Sequence, residues 1–471
     1  MQYFKKTKTI KLISFLLSLF LILSCASDNR MRRGGREKEG LSTGQVSRIS
    51  KKASKRILKK TNSEKVKKES LEFDIYKDEE DVIIYGVSNK EGRDKTIFTL
   101  FGSYTVSSDF GAENGYSVSS GDINGDGIND IIISSPNTRA AETDEDKSGK
   151  VYCLFGKNKM EDSLSVADSE IILYNKSALS EKDWFGHAIA VGDINGDNID
   201  DLIIGSPFMG EKKGAVFVVF GKNTPPLSPP LQEEVRTGER DIKKAADISI
   251  RGANKGDMAG YSIALGDVNG DGISDIILGA PGSNGPSGKY SGAGMVYIIY
   301  GSKSMEKEIN LTNNYGVRIF GKEGGGRSFF AFSEKSENKA DSAGYSVTSG
   351  DINNDNFYDI IIGAPGADGN NKDRKDSGEA YVVYGKKDLK GTLDLYEDAD
   401  VTLSGAFEGD SCGYSIVSSD INRDGISDII IGSPNAKLKK GKDRPGAIYI
   451  VYGKADLKSS HTIIDLNKDA D

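Results

Sequence analysis

The sequence predicts an all-β protein, a β-propeller of about five four-stranded antiparallel blades. Two observations predict this fold: a nine-residue pattern that repeats along the chain, and four strand-like runs within each repeat. A nine-residue pattern, D-x-N-x-D-G/N-x-x-D, returns five times in the 471-residue chain, and each copy is followed by a short apolar run that ends in Ser-Pro or Ala-Pro. Similarity within one chain at a nearly fixed period is the signature of a repeat architecture. The copies begin at Asp122, Asp193, Asp267, Asp351 and Asp420.

Four strand-like runs recur within each repeat, and we name them runs A to D. In the third repeat, run A is GYSIALGD from Gly260 and run B is DIILGAP from Asp275. Run C is VYIIYG from Val296, and run D is VRIFG from Val317. The runs are short, rich in β-branched and aromatic residues and bounded by Gly or Pro, which is strand chemistry without a helical period. Four such strands joined by turns describe a propeller blade.

The two ends of the repeat array predict how the blades close into a ring. The segment IDLNKDAD at Ile464–Asp471 matches the segment that precedes a run D, but no run D follows it. Near the other end, VIIYG at Val82–Gly86 matches run D. We therefore predict that Val82–Gly86 is the outer strand of the last blade and pairs with Ile448–Tyr452, because this removes two exposed sheet edges. A partial arc of blades is the alternative.

Each nine-residue pattern is a candidate calcium loop. Calcium prefers about six to eight oxygen ligands. A tight loop can supply them from its first, third, fifth and ninth side chains and from its seventh carbonyl. The five predicted ligand sets, for up to five Ca²⁺ ions, are Asp122, Asn124, Asp126, Ile128 and Asp130; Asp193, Asn195, Asp197, Ile199 and Asp201; Asp267, Asn269, Asp271, Ile273 and Asp275; Asp351, Asn353, Asp355, Phe357 and Asp359; and Asp420, Asn422, Asp424, Ile426 and Asp428.

The sixth position of each loop strengthens the calcium hypothesis. A sharp turn there needs a positive φ, which Gly and Asn tolerate best. The loops are not EF-hands, since the twelfth residue is aliphatic rather than Glu. A polar turn without metal is the alternative, but five copies with the same three Asp and one Asn favour calcium in a structural role. The sixth residues are Gly127, Asn198, Gly272, Asn356 and Gly425.

The first 25 residues have the pattern of a signal peptide. A basic start precedes an apolar run, Leu12–Leu23, that is too short to span a bilayer comfortably. The following Ile-Leu-Ser-Cys resembles a bacterial lipoprotein cleavage box, which implies lipidation of Cys25 and a place in the bacterial cell envelope. An ordinary signal peptide is the alternative. Residues 26–70 form a basic flexible linker with too few apolar side chains to fold, and residues 71–471 form the repeat body.

Runs A and B and the loop between them resemble the FG-GAP repeat of the integrin α-subunit propeller. An example is WFGHAIAVGDINGDNIDDLIIGSP from Trp184. The resemblance covers roughly residues 71–471 and implies calcium in the hairpins of one face, held by the Asp and Asn positions given above, and ligand recognition on the opposite face. The chain departs from integrins in having five repeats rather than seven blades. Only Phe185-Gly186 keeps the Phe-Gly of the family name.

A partner surface is expected opposite the calcium loops. A four-stranded meander places the A–B and C–D turns at one end and the B–C and D–A connections at the other. Recognition residues concentrate on long loops over a rigid scaffold, so we expect an extracellular protein or glycan to contact Ser108–Asn114 and Phe329, Phe330 and Phe332. A Pro-rich insertion on the calcium face, Thr224–Asp241, is typical of an extended spur. The long opposite connections are 87–114, 137–149, 283–293, 322–343 and 367–377.

The sequence offers little for catalysis. Of its two histidines, His187 stands where other repeats have tyrosine, which favours packing, and His461 lies on a predicted loop. Cys153 and Cys412 are interpreted as small buried apolar residues, and a single disulfide bond between them is the alternative. Residues 71–471 hold 43 Lys and Arg against 65 Asp and Glu, and so acidic a body disfavours nucleic acid as a partner. We predict a non-enzymatic binding module tethered to the membrane by its lipid. The alternatives are a hydrolase with paired carboxylates in the propeller channel and a purely structural envelope protein.

Overall fold

The computed structural model describes a part of the chain that is almost entirely strand and turn. The described ranges are 83–85, 97–99, 102–104, 115–139, 147–158, 163–176, 183–223, 239–286, 288, 291–321, 340–369, 374–437, 444–455 and 462–468. Within these ranges no helix has the length and apolar character needed to cross a membrane. The short helical segments are Val166–Asp168, Met209–Lys212, Ile242–Ala245 and Leu395–Asp398.

Each of the five repeats forms one sheet, as expected for a five-bladed propeller. Strands A, B, C and D pair antiparallel in that order in the first four sheets, and the fifth sheet contains A, B and C. Strands A are Val118–Gly121, Ile189–Gly192, Ser262–Gly266, Ser346–Gly350 and Ser415–Ser419. Strands B are Asp130–Arg139, Asp201–Ser206, Asp275–Ala280, Asp359–Ala364 and Asp428–Ser433. Strands C are Lys147–Leu154, Ala215–Val219, Met295–Ile299, Glu379–Val383 and Ala447–Val451. Strands D are Ile171–Lys176, Ile248–Arg251, Val317–Phe320 and Val401–Ser404.

A fifth strand, strand E, completes each of the first four sheets and is absent from the sequence prediction. It comes from the segment before run D of the following repeat, or from the equivalent segment after the last repeat. It pairs in parallel with strand D. Strand E covers the open edge of strand D and ties each sheet to the next stretch of chain. Strands E are Glu239–Asp241, Glu308–Asn310, Gly391–Asp394 and Thr462–Asp465.

The predicted closure of the last blade by Val82–Gly86 is wrong. Strand Ile83–Tyr85 pairs antiparallel with Ile97–Thr99 and parallel with Ser163–Ser165, in a separate four-stranded sheet whose edge is Gly102–Tyr104. The parallel partner precedes run D of the first repeat. Ile83–Tyr85 therefore has the same relation to that partner as every strand D has to its strand E. The resemblance to run D holds, but a strand that the sequence analysis did not foresee occupies its other edge.

Strands B form the centre of the core. Every residue of Asp275–Ala280 and of Asp359–Ala364 is buried. A continuous apolar run suits a strand that is covered on both faces. Side chains of adjacent sheets pack into shared clusters, so Ile203 and Val216 of the second sheet belong to one cluster with Leu278 of the third. Strands A of successive sheets also contact one another, which aligns the loops that follow them.

The second residue of each run A belongs to an aromatic ladder across the sheets. Ring centroids are 5.1 Å apart for Tyr116 and His187, 4.3 Å for His187 and Tyr261, 5.1 Å for Tyr261 and Tyr345, and 4.8 Å for Tyr345 and Tyr414. His187 is buried, with Nε2 3.1 Å from the Tyr116 hydroxyl and Nδ1 2.9 Å from the Tyr261 carbonyl oxygen. Burial lowers the pKa of His187 to about 4. The predicted packing role of this histidine is confirmed.

Replacing this histidine by the tyrosine of the other repeats, His187→Tyr, should remove one source of pH-dependent stability. The folded pKa of His187 is about 4 and its ordinary value is 6.5. The unfolded chain therefore binds a proton at this histidine more readily than the folded chain does. This contribution to stability is complete above pH 6.5, and as the pH falls from 6.5 to 4 the free energy of unfolding drops by at most about 3 kcal/mol. Chemical denaturation of both proteins across the window measures the difference. The control His461→Gln should keep the wild-type pH dependence. A variant His187→Tyr that also keeps it contradicts the assignment.

Candidate calcium-binding loops

The five nine-residue patterns form the hairpin loops between strands A and B. In each loop the first residue follows strand A and the ninth begins strand B, as Asp267 and Asp275 do in the third repeat. The predicted ligand residues of one repeat therefore lie in one hairpin. Most of the side-chain-to-backbone hydrogen bonds described below recur from loop to loop, and the third loop illustrates them.

The first aspartate of each loop organises the turn. Asp267 accepts the N–H of Gly270 on Oδ1 at 2.7 Å and the N–H of Gly272 on Oδ2 at 2.8 Å. Asn269 Oδ1 accepts the N–H of Asp271 at 2.9 Å, and the fifth side chain repeats this bond two residues further on. These are the side-chain-to-backbone turns that Asp and Asn favour. The sequence thus shapes the loop before any ion is considered.

The ninth aspartate fastens the loop to the rest of its sheet. Asp275 Oδ2 accepts the N–H of Val268 at 3.0 Å, and Oδ1 accepts the N–H of Gly301, just after strand C, at 2.9 Å. The equivalent two bonds form in every repeat. All five ninth aspartates have no exposed surface. They are Asp130, Asp201, Asp275, Asp359 and Asp428.

Burial raises the pKa of four of these buried carboxyl groups, because desolvation disfavours the charged form. The pKa is about 6 at Asp130 and about 7 at Asp201, Asp275 and Asp359. Backbone N–H donors act in the opposite direction. The fifth and first aspartates of the same loop raise the pKa further. Each of these loops therefore holds carboxylates that repel one another, and a cation would relieve this repulsion.

The backbone geometry of the sixth position confirms the sequence prediction. Gly127 and Gly272 have φ of 83° and 84°, and Asn198 and Asn356 have φ of 66° and 69°. Gly425 has φ of 89°. The fourth position is also left-handed, which the sequence analysis missed although four of its five residues are Gly or Asn. These residues are Gly125, Gly196, Gly270, Asn354 and Arg423.

Backbone hydrogen bonds join the five loops in chain order, a feature that the sequence analysis did not foresee. The eighth N–H of each later loop donates to the first carbonyl of the preceding loop. Ser274 donates to Asp193 at 3.1 Å, and Tyr358 donates to Asp267 at 3.0 Å. The glycine after strand C makes room for this approach, since a Cβ at Gly301 would lie 2.3 Å from the Ser274 carbonyl oxygen. The other two bonds join Asp200 to Asp122 and Ser427 to Asp351.

The chemistry of the donor set fits Ca²⁺, a cation that prefers oxygen ligands. Each loop offers three carboxylates, one amide oxygen and one carbonyl, and a carboxylate oxygen that accepts one N–H keeps further acceptor capacity. In the fourth loop, Asn353 Oδ1 is buried and has no hydrogen-bond partner among the described residues. Among those residues, no group of three or more His, Cys, Asp and Glu side chains is arranged to hold a metal ion. The loops thus present oxygen donors without a closed cage.

Several predicted functional residues lie outside the described ranges. These are Cys25, His461, Ser108–Asn114 and the phenylalanines Phe329, Phe330 and Phe332, together with most of the Pro-rich insertion. Cys153 and Cys412 are described, and both are buried and free rather than bridged. Burial raises the pKa of each thiol to about 12. They are therefore neutral, apolar parts of the core, as the sequence predicts.

Comparison with known proteins finds the FG-GAP repeat family in this chain. The Dictyostelium discoideum phosphatidylinositol-glycan-specific phospholipase D is 27% identical over 326 residues, which are 65% of this chain and 31% of that protein. Integrin alpha pat-2 of Caenorhabditis elegans is 28% identical over 270 residues, 54% of this chain and 18% of that protein. Gallus gallus integrin alpha-V is 25% identical over 281 residues, which are 56% of this chain and 22% of that protein. The FG-GAP matches are residues 114–153, 185–219, 259–299, 343–383 and 413–451.

This chain spans less than a third of the length of each of these relatives. The shared part is the repeat region, in which each matched segment contains strand A, the nine-residue loop and strands B and C. The five matched repeats and their sheets show that this chain is an FG-GAP repeat protein that is similar to integrin α-subunits in the repeat region.

Proposed function

We propose that this protein is a calcium-stabilised binding module, held at a bacterial membrane surface, that recognises an extracellular protein or glycan. The observation that carries the calcium part is the set of five matching loops, each hydrogen-bonded to its neighbour in the chain. In four of them the carboxylates repel one another. A cation in one loop would stabilise that hairpin. Through the hydrogen bond between loops, it would also stabilise the position of the neighbouring loop.

Calcium would be held by the first, third, fifth and ninth side chains and the seventh carbonyl of each loop. Its contribution would be structural: it would neutralise carboxylates that repel one another and fix the A–B hairpin. The chain's own part is to present these donors in fixed order. Asp267 and Asn269 already shape the turn by accepting N–H groups, and the ninth carboxylate keeps the loop fastened to strand C.

Membrane attachment is the second part of the proposal. It rests on the sequence alone, on the apolar run Leu12–Leu23 and the following Cys25. Several acyl chains would hold the protein firmly where one would be marginal. Mass spectrometry of the mature chain tests this directly, because an unmodified Cys25 contradicts it.

Binding is favoured over hydrolysis by the composition of strands A. These are the strands through which successive sheets contact one another, so they would line a propeller channel. None of the five contains Asp or Glu, and a glycoside hydrolase usually needs a pair of such carboxylates. The phospholipase D relative keeps a hydrolase in view as the second candidate, but the alignment leaves more than two thirds of that protein unmatched.

Calcium should raise the stability of the folded chain, and a single loop variant should lose part of this gain. A site contributes about 2.7 kcal/mol when calcium exceeds its Kd about a hundredfold. Asp271→Asn keeps an oxygen that accepts the Ile273 N–H but removes a ligand charge. Thermal unfolding with and without calcium measures the effect. The control is Asp388→Asn, an exposed aspartate outside the loops. Equal responses of wild type and both variants would contradict calcium binding at this loop.

Ligand recognition should be saturable and should depend on calcium. The purified chain is applied to arrays of immobilised glycans and extracellular matrix proteins, in calcium and in chelator. We expect at least one partner to bind in calcium and to lose affinity in Phe330→Ala, whereas Tyr396→Ala, an exposed aromatic of the described part, should bind as wild type does. Turnover of glycoside or phosphodiester substrates without any such partner would favour the hydrolase instead.

A further inference from the structure

The first two repeat sheets enclose a cavity that another sheet junction of the same protein lacks. The cavity has a volume of about 610 Å³ and is lined by Cys153, Leu173, Leu202 and Val219 among others. At the matching junction of the fourth and fifth sheets, a cavity of about 10 Å³ is lined by residues at equivalent repeat positions. The larger volume falls in the usual range for small-molecule sites, about 300–1,000 Å³. Repeat symmetry therefore provides an internal reference for what is unusual here.

The difference in cavity volume is explained by one residue of strand E, defined by its pairing with a buried aliphatic residue of strand D. In the second, third and fourth sheets, this residue pairs with a buried aliphatic of strand D and is itself aliphatic. It is Ile309, Leu393 and Ile464. In the first sheet the same position is Arg240, which pairs with Leu173. Arg240 is exposed, so it does not fill the space that the aliphatic side chains fill elsewhere.

A second apolar residue of the other junctions has no aliphatic or methionine counterpart in the sequence of the second repeat. Four residues after the glycine that follows strand C, the third repeat has Met305 and the fourth has Leu389, and both pack against the apolar clusters between sheets. The second repeat has Pro225 at that position. The sequence thus departs from the repeat pattern at both Arg240 and Pro225, and the structure describes the first of these two positions.

The cavity is apolar inside and basic at its rim. Leu173, Leu202 and Cys153 are almost completely buried. At the rim, Arg240 and Lys244 are exposed and have no acidic partner among the described residues. The acids of the rim are engaged, since Glu239 lies 2.7 Å from Lys150 and Asp241 accepts the N–H of Lys243 at 3.1 Å.

We propose that this cavity binds a single-chain amphiphile with an anionic head group, of the class of long-chain carboxylates. The alkyl chain would lie against the aliphatic lining, and the carboxylate would be held by Arg240 with support from Lys244. Arginine suits this task because its planar group donates two parallel hydrogen bonds to a carboxylate. Ile123 of the first calcium loop is also part of the lining, but the proposal requires neither a bound calcium ion nor the recognition of an extracellular partner.

The test is a binding titration with a dansyl-labelled undecanoate, whose emission rises in apolar surroundings. The protein is the full chain with Cys25→Ser, which removes the predicted acylation site and its competing acyl groups. We expect saturable binding of one probe per chain and displacement by dodecanoate. Arg240→Ile, which restores the residue type of the other repeats, should weaken binding about tenfold or more. The control Arg251→Ile removes an exposed charge of strand D in the second sheet and should bind as the parent does.

Three results would overturn the proposal. The first is an absence of saturable binding to the parent chain. The second is equal affinity of Arg240→Ile and Arg251→Ile, or of the anionic probe and its uncharged alcohol, because the basic rim would then have no part in recognition. The third is binding that develops only after residues 224–238 are replaced by a short Gly-Ser linker, because the chain itself would then occupy the cavity. Circular dichroism of each variant establishes that it is folded.

Discussion

One arrangement of hydrogen bonds underlies the rest of this structure: each A–B loop is fastened to its own sheet, and each loop after the first is also fastened to the loop before it. The ninth aspartate joins the loop to the end of strand C, and the eighth N–H joins it to the first carbonyl of the preceding loop. A buried carboxylate is costly unless it is hydrogen-bonded. These aspartates are tolerated because two backbone N–H groups serve each of them, and that same requirement makes the loop geometry alike in five repeats.

The sequence reveals the parts of the fold that repeat and fails where the repeats differ or the chain pairs with itself over a distance. Strands A to D follow from short apolar runs bounded by Gly and Pro, and the turn at Asn198 or Gly272 follows from the residue types that accept a positive φ. Strand E escapes the analysis because Glu239–Asp241 has no apolar pattern, and only its pairing with Ile171–Lys176 makes it a strand. The predicted partner of Ile83–Tyr85 is wrong for a similar reason, because the pairing of an edge strand depends on which segment of the chain packs beside it.

The candidate sites show the same division. The oxygen donors of the loops are legible in the sequence because their spacing repeats, but the bonds between loops depend on the packing of adjacent sheets, which no local pattern encodes. The cavity beside Arg240 becomes visible only when strand E is known, because the arginine then stands in register with Ile309, Leu393 and Ile464. A departure from the repeat carries information only after the repeat has been placed in space.

Hydrogen–deuterium exchange at the eighth residue of the loops tests the central claim most directly, because these amides form the bonds between loops. With calcium added, the account predicts slower exchange of the amides of Ser274, Tyr358 and Ser427, which donate to Asp193, Asp267 and Asp351. It further predicts that Asp271→Asn lowers the calcium-induced protection at Tyr358, in the following loop, as well as in its own. Exchange rates at these amides that do not change with calcium would contradict the account.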